Sequence, residues 1–327
     1  MRTRRWLLNT LTAAILVGLG ACGGGGGDDD EPIVPAGPTI EITVANRDTV
    51  AHATAAGIAG LSPASIAPLS TGSSGRLMSV WLKPLSARVA SALTQRERAQ
   101  TAYGPYTYQC ANGGTWGETD YDNDEDGLPS AGDVVTIFFN NCQDAVGETA
   151  NGSMTMTFTA LSTAGGSADV TMAQMSYATA RHTMTFDGAM LLDYTPGTVE
   201  IGRATAKGSM KLVVSTHLPF TDTVTLHDGF VVEEQYDTSL ERSTSTTNGL
   251  LESAAASGVV RVTTMAGAPI MKNDADDYPY AGTVQVKGVT STLQMTVLST
   301  SNVRLDLDTD DNGTPESTET VAWDWLL

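Results

Sequence analysis

Alternation at period two constrains this chain more than any other feature of its sequence. In SMTMTFTA, residues 153–160, Met154, Met156 and Phe158 fall on one side and Thr155, Thr157 and Thr159 on the other. VRLDLD, residues 303–308, separates Val303, Leu305 and Leu307 from Arg304, Asp306 and Asp308 in the same way. Successive side chains of a strand point to opposite faces, so these segments read as strands with one face on a core. In VTLHDGFVV, Asp228-Gly229 stands between apolar runs. A two-residue turn of that composition accepts positive φ, which predicts a hairpin there. Gly152, Gly188, Gly208, Gly258 and Gly282 each open a Gly-x-apolar-x-apolar segment at irregular intervals, a pattern that suits hairpins and not a solenoid. The expected fold of residues 104–327 is mainly β, an antiparallel meander forming a sandwich or a partly closed barrel. A transmembrane barrel is disfavoured because aromatic residues make up only 6% and form no paired girdles.

A short helical segment, residues 39–103, precedes the β-domain. From Arg76 to Leu93, large apolar residues recur every four positions at Leu77, Trp81, Leu85, Val89 and Leu93, one helical face with Pro84 as a kink or a second start. The Ala-rich stretch Asn46 to Gly60 predicts another short helix.

The first residues carry an address. Arg2, Arg4 and Arg5 precede an apolar run of 14 residues, Trp6 to Leu19, which is too short for the roughly 20 residues a membrane span needs. The run exits through Leu19, Gly20, Ala21 and Cys22. This resembles the lipobox of bacterial lipoproteins. The resemblance implies a signal peptide over residues 1–21, cleavage before Cys22, lipidation of its sulfur and anchoring to a membrane of the cell envelope. Gly23 stands where an Asp would mark inner-membrane retention, so the resemblance points to the outer membrane. Residues 22–38, with six glycines, four acids and three prolines after the Cys, read as a tether reaching roughly 20 to 25 Å.

With Cys22 committed to lipid, Cys110 and Cys142 remain, and in an oxidising envelope compartment a disulfide between them is the simplest reading. The net charge of −19 opposes a nucleic-acid partner. It is unevenly spread: residues 39–103 hold six basic and three acidic groups, and residues 104–327 hold nine and 30.

Much of that acid lies in loops with a spacing. From Asp122, acids occupy the first, third and fifth positions (Asp122, Asp124, Asp126), Gly127 the sixth and Asp133 the twelfth. DTDDNGTPESTE repeats the spacing with Asp308, Asp310, Asn312, Gly313 and Glu319. Alternate carboxylates around a glycine turn can converge on one cation, and the pattern is similar to the calcium loop of EF-hands. β-Branched runs follow both loops, so strands are expected there instead of helices. Asp274, Asp276 and Asp277 form a poorer third candidate without the turn glycine. No nucleophile elbow, S-x-x-K, P-loop or zinc-spaced histidine pair occurs, and no catalytic residue is assigned. Met154, Met156, Met172 and Met175 are potential soft copper ligands, but alternation accounts for the first two as core.

These features describe a lipid-anchored envelope β-protein with structural calcium, acting as a binding or structural module toward a protein, glycan or apolar ligand. The alternatives are a carrier of an apolar ligand within the sheet and, third, a hydrolase.

Overall fold

The computed structural model describes residues 37–61, 102–125, 130–143, 148–162, 164–179, 182–216 and 220–327. The signal segment, Cys22, the tether as far as residue 36, the 76–93 apolar row, Asp126 and Gly127 lie outside them. A helix, α1 (Arg47–Leu61), is followed by sixteen strands of one antiparallel sheet. The first seven are β1 (Ala102–Gln109), β2 (Thr115–Tyr121), β3 (Val134–Cys142), β4 (Thr149–Ser162), β5 (Gly165–Ala178), β6 (His182–Thr195) and β7 (Val199–Thr216). Then come β8 (Thr221–Leu226), β9 (Val231–Asp237), β10 (Arg242–Ser253), β11 (Gly258–Thr264), β12 (Ile270–Asn273) and β13 (Gly282–Lys287). The chain closes with β14 (Thr292–Ser299), β15 (Asn302–Asp308), β16 (Ser317–Ala322) and a single helical turn, α2 (Trp323–Leu326).

Strands β1 to β7 pair in chain order, as a meander does. The expected hairpin at Asp228-Gly229 is not formed: β8 and β9 do not pair with each other but run end to end along β7, with Leu226 opposite Met210 and Val231 opposite Thr205. The cause is local. Phe230 donates its N–H to the His227 carbonyl at 2.9 Å, so residues 227–230 form an excursion within a continuing strand. Ala206 of β7 keeps the ladder intact by bonding Phe230 O at 2.8 Å and accepting from Gly229 N at 3.0 Å. On the far side, Gly249 of β10 has φ +156°, and a Cβ there would lie 2.5 Å from the Phe230 Cα. The missing side chain lets the excursion press Phe230 fully into the core. The spaced glycines have a related role: Gly152, Gly188 and Gly282 each abut the neighbouring strand's backbone, a Cβ falling within 2.8 Å of Gln174, Met210 or Ile270.

Alternation places the core as expected. Met154, Met156 and Phe158 are buried, as are Val303, Leu305 and Leu307. Thr155 and Thr157 of β4 and Thr244, Thr246 and Asn248 of β10 face outward. The inner face of β4 to β7 is rich in methionine, whereas β8 to β15 bury chiefly Val and Leu.

The Ala-rich helix is present as α1 and belongs to this core. It is buried on nearly every side, which a helix apolar all round requires. It packs on β7 to β10, β14 and α2. Gly57 and Gly60 set the approach: a Cβ would fall 2.6 Å from Leu251 Cδ1 and 2.0 Å from Leu212 Cδ2. Fully burying each of Val50, Ile58 and Leu61 contributes about 2 kcal/mol. Ahead of the helix, Thr39 N donates to Val259 O and Val289 N to Ile40 O, both at 2.9 Å. Cys110 and Cys142 are bridged, with Cα atoms 5.4 Å apart, tying the end of β1 to the end of β3.

Candidate metal centre

Two turns of the sheet gather carboxylates. Between β2 and β3, Asp122, Asp124 and Asp133 each present an oxygen within 4.8 Å of the others. Asp122 and Asp133 are buried and Asp124 is exposed. The strand ends carry them: Asp122 directly follows β2 and Asp133 directly precedes β3. Asp133 accepts from Asn123 N at 2.8 Å and Ser130 N at 2.7 Å, which aims its carboxylate across the turn. The Ser130 hydroxyl donates to Asp124 Oδ2 at 3.1 Å.

Between β15 and β16 the cluster is Asp308, Asp310 and Glu316, again within 4.8 Å of one another. Asp308 ends β15 and accepts from Gly313 N at 2.6 Å and Asn312 N at 3.1 Å. Asn312 Oδ1 accepts from Thr314 N at 2.8 Å, which tightens the turn. Thr309 N donates to Glu316 Oε2 at 2.6 Å, and Glu316 N to Leu307 O at 2.9 Å. Asp311, beside the cluster, is engaged elsewhere: the Thr292 hydroxyl and then Lys287 hold its carboxyl below the ordinary range.

The sequence spacing named Glu319 as the closing ligand of this second turn. Glu319 lies inside β16 opposite Leu305, and its carboxylate pairs with the Arg47 guanidinium. Arg47, buried at the start of α1, also donates to Ser317 Oγ at 3.2 Å and to Asp48 at 2.8 Å. Glu316 takes the place in the cluster. No local pattern singled it out: β16 starts at Ser317 and leaves Glu316 as the last loop residue.

Of the residues expected to hold metal, Asp122, Asp124 and Asp133 converge, as do Asp308 and Asp310. Asn312 braces its turn, and Asp126 is outside the described residues. Like charges this close repel by about 1 kcal/mol per pair in water and about 4 kcal/mol near a protein surface, so a cation at either turn would relieve them. The third candidate forms no such cluster among the described residues. No family model matches the chain, and no curated protein and no solved structure matches it.

Proposed function

We propose that this chain is a lipid-anchored scaffold of the cell envelope whose acidic turns are closed by calcium, acting as a binding or structural module without turnover chemistry. The observation that carries the reading is the pair of turns that each bring three carboxylates within 4.8 Å. The donors are hard oxygens, the ligand type that Ca²⁺ takes. The anchor at Cys22 rests on the sequence motif. Metabolic labelling with a tagged fatty acid should mark the wild type and not C22S; equal labelling would remove it.

The metal reading is tested by melting protein stripped with chelator and then titrated with calcium. For sites as weak as those of extracellular modules, calcium at ten times Kd stabilises by about 1.4 kcal/mol per site. Superimposable melting curves at millimolar calcium would remove it.

A carrier of an apolar ligand is the second reading, favoured by the methionines of the inner face, Met154, Met156, Met172, Met190 and Met210, whose flexible thioethers adapt to varied shapes. The close seat of α1 on β7 and β10 speaks for the scaffold, since Gly57 and Gly60 leave no layer between helix and sheet.

A further inference from the structure

The chain ahead of α1 is clasped to one end of the sheet. Thr39 donates its N–H to Val259 O at 2.9 Å, and its hydroxyl accepts from Val259 N at 3.0 Å. Ile42, wholly buried, donates its N–H to Ser291 Oγ at 2.6 Å. The Glu41 carboxylate accepts from the N–H and the hydroxyl of Thr290, both at 2.9 Å. Gly288 makes room for the clasp, since a Cβ there would lie 2.7 Å from Ile40 O. Turns 254–257 (β10 to β11), 288–291 (β13 to β14) and 309–316 (β15 to β16) all close strands at this same end. Apolar side chains are exposed around the clasp: Val44 is 64% and Val289 57% exposed, and Ala254 and Ala255 are exposed with them. Residues 254–257 and 288–291 carry no charge. The opposite end also exposes Leu240 and Met265, but its turns carry Glu241, Asp274, Asp276 and Asp277.

We propose that the clasped end, with Val44, Ala254, Ala255 and Val289 at its tips, is a lipid-contact surface that lies against the leaflet holding Cys22. Between Cys22 and Thr39 there are 16 residues, a Gly-rich length that reaches roughly 20 to 25 Å, so an anchor at Cys22 brings this end to the bilayer first. Apolar tips on uncharged turns leave water at little cost, whereas charged turns do not, and the contact adds a second hold to that of the acyl chains. Asp308, Asp310 and Glu316 flank the surface and repel anionic headgroups, so the lipid it meets is zwitterionic. The leaflet named here rests on the anchor reading, and the test lets the two fail separately.

With Cys110 and Cys142 bridged, Cys22 is the one free thiol of residues 22–327. That chain is coupled through it to a maleimide lipid in phosphatidylcholine vesicles, in chelator, which sets the anchor in place whether or not a cell acylates Cys22. Amide exchange is compared with that of the uncoupled chain. Residues 254–257 and 288–291 should exchange several-fold more slowly on the vesicle, with 238–241 unchanged. Equal exchange with and without coupling, or equal slowing at both ends, overturns the proposal. V44D/V289D should couple as well as the wild type and lose the slowing; slowing that persists in this variant also overturns it, because apolar contact is then not the cause. Absence of fatty-acid labelling at Cys22 would remove the anchor reading and leave the lipid contact standing.

Discussion

The turn after β2 and the turn after β15 start from the same Asp-x-Asp spacing, yet the first is closed by Asp133 at its twelfth position and the second by Glu316 at its ninth. The difference follows from where the next strand begins. β3 starts at Val134, so Asp133 is still loop, and the N–H groups of Asn123 and Ser130 orient it. β16 starts at Ser317, so the twelfth residue of the second turn is already in the ladder, where Arg47 claims it. A ligand spacing thus names candidates, and strand pairing selects among them. The supports differ as well. The disulfide joins β1 to β3 at the far end of the β2–β3 ladder from the first turn, whereas a buried arginine of α1 holds the strand that follows the second.

The supports can be removed separately. The largest effect should come from C110S/C142S: closing a loop across a separation of 32 residues is worth about 3 to 4 kcal/mol in the chain-entropy account. Denaturant unfolding should show that loss, whereas calcium titration should show both turns unchanged, since the bridge lies at the far end of β2 and β3 from the first. R47M should cost about 2 kcal/mol, less than a fully buried pair because Glu319 and Asp48 are half exposed. Its calcium affinity at the first turn should equal that of the wild type. Equal weakening of both sites by either variant would mean that the turns are not independently supported.

A finer cut separates the two glutamates. E316Q should raise Kd at the second turn about tenfold, or about 1.4 kcal/mol, and E319Q should change it less than about twofold. The reverse order would restore the twelve-residue ligand set. The smallest effect belongs to α1 as well. Burial of the His52 ring, stacked on Phe220 and tilted against Trp325, pulls its pKa down, against the Leu326 carbonyl and Asp48. A lowered folded pKa means that the unfolded chain takes up the proton first. The contribution is therefore complete above about pH 6.5 and is lost as pH falls below it. H52Q should flatten the slope of stability against pH between about 6.5 and 5, without altering calcium binding at the first turn.

Elements whose form is set by their own side chains were legible in the sequence. Met154, Met156 and Phe158 alternate and are buried, and the alanines of α1 predict a helix. Cys110 and Cys142 pair as the count of available thiols implied. Decisions taken by distant partners were not legible. Asp228-Gly229 carries hairpin chemistry, but β7 is 18 residues long and offers a ladder to both β8 and β9, so the chain runs on. Glu319 has the right spacing, but an arginine 272 positions away holds it. That α1 would pack closely on β7 and β10 depends on Gly57 and Gly60 meeting Leu251 and Leu212, a complementarity that no local pattern encodes.

Calorimetric titration of the chelator-stripped chain with calcium tests the central claim most directly, comparing wild type, D122N and D308N. The account predicts two sites in the wild type and one in each variant. Retention of both sites in either variant, or no binding heat in the wild type up to millimolar calcium, would contradict it.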